Sequence, residues 1–298
     1  MLATLRTQSC FYLLVAAMMT HAPAVLTAQQ FRIETEVFQE GIEQPVSTNL
    51  TLFDGGLIFD FLSPNAQGDI ADEIAIFDTR QRQFVLLDTE RKVKTTVPEH
   101  QIVRLMAALS TDGVIKDEFL ADPKFEEDFD LETQKLTLSS NRMTYTAVGS
   151  RPDDGSYVPA YHEFADNFAR LNVTDPRRMP PFARLKFNAA LKKYGLIPDE
   201  ITITLKPSAD SQDAIRLRTT HSTHWRLSSQ DQQLIETAKE FWIRYKPLEL
   251  REYRRLPESI GSPTQPPTNP SGENNDTEPE EATGESQLKP LVPRKNNG

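Results

Sequence analysis

Two short segments constrain this chain more than any other feature. Ile74-Ala75-Ile76-Phe77 and Phe84-Val85-Leu86-Leu87 are apolar at every position, and the polar turn Thr79-Arg80-Gln81-Arg82 lies between them. Side chains of a strand alternate between the two faces of a sheet, so a strand without a polar face must be covered on both sides. One side needs a second layer, and the other needs a core or a cavity.

The neighbouring residues extend these two segments into a series. Phe31, Ile33 and Val37 alternate with Arg32, Glu34 and Glu36, the pattern of a half-buried strand. Leu50 and Leu52 lead into Asp54-Gly55-Gly56, a hairpin turn in which glycine can take positive φ, and Leu57–Leu62 returns from it. Glu73–Asp78, Gln83–Asp88 and Val93–Val97 complete an up-and-down series of six strands. Apolar-Asp pairs recur as apparent strand ends at Phe59-Asp60, Phe77-Asp78 and Leu87-Asp88, unevenly spaced, as turns are.

Pro98 then opens a helix carrying Ile102, Met106 and Leu109, with Asp112-Gly113 near its end. Phe125–Asp130, Lys135–Ser139 and Met143–Val148 read as strands. Tyr161, Phe164, Phe168 and Leu171 fall at helical spacing, and a second helix runs from Pro180-Pro181 to Gly195 and Pro198. Ile201–Leu205 and the stretch through Ile215 and Leu217 form a last hairpin. Ser229-Asp231-Gln232 resembles a capping box for a final helix carrying Leu234, Ala238, Phe241 and Tyr245, which Pro247 stops. The expected fold is α+β, with about eleven mostly antiparallel strands and helices inserted after the sixth, after the ninth and at the end.

The two ends differ from this middle. Arg6, the apolar run Phe11–Met19 and the small-residue segment Leu26-Thr27-Ala28 read as a secretory signal over residues 1–28. The apolar run is about half the ~20 residues needed to span a membrane, so no transmembrane span is expected after cleavage. Cys10, the single cysteine, would leave with the signal. Residues 257–298 hold eight prolines, seven acidic residues and no aromatic residue, a composition that reads as a disordered tail. Residues 29–256 remain as one domain, exported to the periplasm or secreted. The net charge of −10 argues against wrapping a nucleic-acid backbone, and 12 glycines disfavour phosphate-binding loops.

No motif for catalysis, a metal or a cofactor stands out, so the reading is of a non-catalytic chain without cofactor or metal. His221 and His224 are offset by three and would face opposite ways on a strand. Asp128 and Asp130 read as a solvated acidic edge, and Arg216 and Arg218 as the wet face of a hairpin.

The passage Ile74-Ala75-Ile76-Phe77-Asp78, Phe84-Val85-Leu86-Leu87-Asp88, Lys92-Val93 resembles the strand-Asp-turn repeat of periplasmic lipoprotein carriers of the LolA/LolB type. The resemblance implies a strongly curved, incomplete antiparallel barrel whose apolar concave side is covered by helices. It implies lipid or lipoprotein acyl chains as partners, and it assigns no functional residue. On alternation within neighbouring strands, Phe59, Phe61, Ile76 and Leu86 are expected to line a hydrophobic-ligand site, with Phe77, Val85 and Leu87 as the set facing the other way. Three readings follow: a binder of a hydrophobic ligand, an interaction or structural protein whose barrel is filled by its own side chains, and a hydrolase with an unpaired set of carboxylates.

Overall fold

The structure, a computed structural model, describes residues 30–63, 71–111, 115 and 117–254. The signal at 1–28, the tail at 257–298 and the helix end at Asp112-Gly113 lie outside the described residues. Within them the fold is α+β, with twelve strands in one unclosed sheet and six helices.

The first six strands are β1 (Gln30–Gln39), β2 (Ser47–Asp54), β3 (Leu57–Ser63), β4 (Glu73–Asp78), β5 (Gln83–Asp88) and β6 (Val93–Pro98). The helices α1 (Glu99–Thr111) and α2 (Glu118–Ala121) follow. Next come β7 (Glu126–Asp130), β8 (Lys135–Ser139) and β9 (Met143–Ser150), then α3 (Tyr157–Leu171) and α4 (Phe182–Tyr194). The hairpin β10 (Ile197–Leu205) and β11 (Ile215–His224) precedes α5 (Ser229–Arg244), a two-residue β12 (Lys246–Pro247) and α6 (Leu250–Tyr253).

The sheet order is β12-β6-β5-β4-β3-β2-β1-β11-β10-β9-β8-β7. Two antiparallel meanders, β1–β6 and β7–β11, are thus joined where β11 lies against β1, with His221 opposite Thr35 and Thr223 opposite Ile33. β12 adds a parallel pair on β6, which makes the sheet mixed.

Three of the turns share one mechanism. Asp78 Oδ1 accepts from the backbone N–H groups of Arg80 and Gln81, Asp88 Oδ1 from that of Arg91, and Asp130 Oδ1 from those of Glu132 and Thr133. Each turn closes four residues on through a left-handed residue: Arg82, Lys92 and Gln134 have φ of 54°, 54° and 52°. The aspartate stabilises the turn by hydrogen-bonding its own backbone, which offsets part of the left-handed residue's steric cost. Asp60 does not belong to this set. It lies within β3, not at its end, and its side chain points into the fold.

Register defines what each sheet face carries. One face of the β1–β6 half starts with an apolar row, Phe31-Phe53-Ile58-Phe77-Phe84-Val97. Phe31 stacks on Phe53 at 3.8 Å and Phe77 on Phe84 at 4.7 Å, while Phe164 and Phe168 of α3 meet Phe53 and Phe84 edge-on. Ile102 of α1 and Tyr253 of α6 join this cluster. The same face continues across β11 into β8–β10, where Leu136, Leu138, Tyr145, Ala147 and Ile201 pack under Phe187 and Leu191 of α4. It is the helix-rich face.

The opposite face of β2–β5 is covered by α5, whose Ile235, Ala238, Phe241 and Trp242 pack on Leu52, Phe59, Phe61, Ile74, Ile76, Val85 and Leu87. The two-faced strands β4 and β5 are therefore covered by helices on both sides, as their composition requires. The N-cap of α5 is Ser228, with Asp231 completing the capping box, one residue earlier than the Ser229 expected. β10 begins at Ile197, so Pro198 sits in a strand and does not merely follow a helix. It lies opposite Gly149, and a register shift before Glu200 absorbs the missing donor. A Cβ on Gly149 would come within 2.7 Å of the Ile197 carbonyl oxygen, so glycine is required for this approach.

Candidate functional site

The four expected lining residues do not share a face. Register pairs Phe59 with Ile76 and Ile76 with Val85, so Phe59, Phe61 and Ile76 lie under α5, while Leu86, opposite Ala75, faces the other way. The alternative set divides too, with Phe77 on the helix-rich face and Val85 and Leu87 under α5. Alternation within each strand is visible in sequence, but the one-residue offset between β4 and β5 is set by their turn. Phe59, Ile76 and Leu86 are 0% exposed and Phe61 is 7% exposed, all within packed clusters. Ile76→Trp is therefore expected to overpack the α5 face and cost roughly 1–3 kcal/mol. Urea denaturation measures this, and an unchanged midpoint would show free volume beneath α5.

Polar chemistry gathers instead on the helix-rich face, beyond the aromatic row. The next row is Ile33-Thr51-Asp60-Ala75-Leu86-Thr95, and the one after is Thr35-Asn49-Leu62-Glu73-Asp88-Val93. Asp60 accepts from Thr51 Oγ1 at 2.7 Å and Asn49 Nδ2 at 3.1 Å. Burial raises its carboxyl to about 6, against those hydrogen bonds. Glu73 lies diagonally across from Asp60 on the same face and meets Arg254 at 3.6 Å. Arg254 also reaches Asp175 and Thr174. Burial pushes the Asp175 carboxyl up, but Arg177 and Arg254 outweigh it and hold it down at about 2. Both carboxylates of the β3–β4 pair are thus engaged by side chains of the fold. Asn49 is committed here to Asp60.

A second polar group lies where the two meanders join, between the cluster beneath α3 and the cluster beneath α4. His221 and His224 do face opposite ways, and among the described residues no group of three or more metal-ligating side chains converges. His221 is on the helix-rich face, with Nδ1 3.0 Å from Thr35 Oγ1. Its Nε2 and the Thr223 hydroxyl beside it are buried without a hydrogen-bond partner. Burial lowers the His221 imidazole to about 4, and the positive charge of Arg184 adds to this.

Arg184, on the first turn of α4, sits over Phe187, which stacks on Tyr145 at 4.6 Å. Its Nε donates to Asn188 Oδ1 at 3.0 Å, and Asn188 Nδ2 donates to Asp166 Oδ1 at 3.1 Å. Asn188 is fully buried, and Asp166 pairs with Arg170. The chain Arg184–Asn188–Asp166 fixes the guanidinium without pairing it, and among the described residues Arg184 makes no salt bridge. Sequence analysis singled out His221 but none of its surroundings, because Thr35, Asp166, Arg184 and Asn188 come from β1, α3 and α4. Asp128, Asp130, Arg216 and Arg218 are exposed edge or hairpin residues; Arg216 pairs with Glu40 and Arg218 with Glu200.

No protein family and no curated protein matches this chain. Among solved structures it is similar to PNGF-II in two crystal forms, at 14% identity with a TM-score of 0.29 and at 11% identity with a TM-score of 0.30. The matches cover 74% and 76% of this chain but 31% and 32% of the others, so the chain spans about a third of the length of the structures it matches.

Proposed function

We propose that the chain is an exported, non-catalytic protein of the cell envelope, built as a half-barrel, that holds a lipid or another ligand with a large apolar part at the seam between the cluster beneath α3 and the cluster beneath α4. In this reading residues 1–28 are removed on export, and β7 and β12 are the two unclosed edges of a curved, LolA/LolB-like sheet. The observation that carries it is the seam between the two apolar clusters, where His221 Nε2 and Thr223 Oγ1 are buried and unpaired. Native cores pair the great majority of their buried polar groups. Two neighbouring unpaired ones flanked by apolar clusters suit a partner with both polar and apolar parts.

A filled-barrel interaction protein is the second reading, favoured by the tight burial of Phe59, Phe61, Ile76 and Leu86. Native mass spectrometry of the mature protein, purified from its own envelope, separates the two. A co-purifying lipid of defined mass is expected. Bare protein that also leaves a long-chain fluorescent fatty acid unbound would overturn the carrier reading and leave the filled barrel.

A further inference from the structure

We infer that residues 288–292 of this chain add a strand to the open edge of β7. This contact lies at the far end of the sheet from β12 and is independent of what the seam holds. Among the described residues β7 pairs only with β8, so its other side presents a row of backbone N–H and C=O groups without strand partners. The opposite end of the sheet is strapped, with β12 on β6 and the Leu248 N–H donating to the Lys94 carbonyl at 2.8 Å. Along β7, Glu126, Glu127, Asp128 and Asp130 are exposed instead.

Charge selects the occupant. A second copy pairing edge to edge would set four carboxylates against four others, and like charges directly opposite destabilise a sheet. The edge therefore suits a cationic strand. Glu127 is satisfied by Lys193 at 2.7 Å and the Tyr194 hydroxyl at 2.6 Å, whereas among the described residues Glu126 and Asp128 make no salt bridge. Within this acidic chain, Leu288-Lys289-Pro290-Leu291-Val292-Pro293-Arg294-Lys295 carries three cations and no carboxylate.

The pattern of that segment fits an edge strand. Backbone groups alternate in direction along a strand, so with Lys289 and Leu291 turned to β7, Pro290 faces outward, where no N–H is needed. Pro293 falls on the bonded side without a donor, which ends the strand after Val292. The five residues that remain match the five of β7. Lys289 and Leu291 then share one face, and Leu288, Pro290 and Val292 the other. β7 is divided in the same way. Glu126, Asp128 and Asp130 lie on one face, and Phe129 on the other stacks on Tyr194 of α4 at 3.9 Å. Lys289 meets the acidic face, and the three apolar side chains extend the cluster beneath α4.

The tether has a matching length. Arg254 lies over β4 through Glu73, eight strands from β7 in the sheet order, a path of about 39 Å or less along the sheet. A coil as long as residues 255–287 spans about 29–35 Å on average, and a tethered contact is strongest when length and span agree.

Amide hydrogen exchange, resolved by residue in the full chain, tests the docking with two proline substitutions. Leu291→Pro removes the N–H that faces β7, whereas Leu288→Pro falls on the side that already accommodates Pro290. With an effective concentration of about 1 mM and a docking constant of roughly 0.1 mM, the outward amides of β7 are protected about ten-fold. Leu291→Pro should abolish that protection and Leu288→Pro should keep it. The amides of β9 should exchange alike in all three chains, which provides the internal control.

Outward amides that exchange at the rate of an open edge in the purified wild-type chain would overturn the docking and leave β7 free for a strand of another protein. Unchanged protection in Leu291→Pro would overturn it too, since some other group would then cover the edge. Equal loss in both variants would overturn the strand pairing. Protection that grows with protein concentration would place the segment on a neighbouring copy and overturn docking within one chain.

Discussion

Lowering the pH from 7 to 4.5 should destabilise the folded protein by on the order of 2–4 kcal/mol, with two histidines as the cause. His162 is 1% exposed in α3 and neither ring nitrogen has a hydrogen-bond partner. Burial holds its imidazole down at about 4, against attraction from Asp166 and with added repulsion from Lys192. His221 is held at about 4 by burial and by Arg184. A base whose folded pKa is depressed contributes stability above the ordinary value of 6.5, and this is lost as the pH falls towards 4.

Asp60 works in the opposite direction. Its folded value of about 6 lies above 3.8, so the folded state gains stability as the pH falls through this range. Two histidines outweigh one aspartate, which sets the sign of the net change. Asp175, held at about 2, adds its own loss only at still lower pH. Urea midpoints at pH 7, 5.5 and 4.5 measure the slope. His162→Gln should flatten it and Asp60→Asn should steepen it. A slope that Asp60→Asn flattens instead would show that the sign has been assigned wrongly.

What sequence could reveal follows the range of each interaction. The ends of β4 and β5 are legible because Asp78 and Asp88 carry a local turn mechanism, complete within three residues. The same apolar-Asp pattern misleads at Asp60, where the partners Thr51 and Asn49 lie on another strand. The capping box is displaced by one because Ser228 and Ser229 are adjacent, and only geometry shows which of them reaches the Asp231 N–H. The lining set divides because alternation operates within a strand, whereas the register between Ile76 and Val85 does not appear in either segment. The seam is the least legible feature. Thr35 and His221 are 186 residues apart, and nothing local to either announces the β1–β11 pairing that joins them.

The clamp on α5 carries the other large expected effect. Asp231 is 1% exposed and its carboxylate serves two elements at once. Oδ2 accepts from the Ser228 backbone N–H at 2.7 Å and from its hydroxyl at 2.8 Å, closing the capping box. Oδ1 accepts from Arg32 Nη1 of β1 at 2.9 Å, which ties the first turn of α5 to the sheet. Asp231→Ala should remove both and leave Arg32 with Glu34 as its remaining carboxylate, at a cost of about 2–4 kcal/mol. Ser228→Ala removes only the cap and should cost about 1 kcal/mol. Asp231→Asn keeps an acceptor but not the charge, so it should fall between the two.

The expected order follows from what α5 covers. Freeing its first turn loosens the helix over Leu52, Phe59 and Ile76, which have no other layer on that side. The apolar burial lost there adds to the broken pair, whereas the Ser228 change leaves Arg32 and Asp231 in contact. Hydrogen exchange over α5, with urea midpoints for the three variants, measures both parts. If Asp231→Ala costs no more than Ser228→Ala, the Arg32 arm contributes nothing, and the apolar face of α5 alone holds the helix to the sheet.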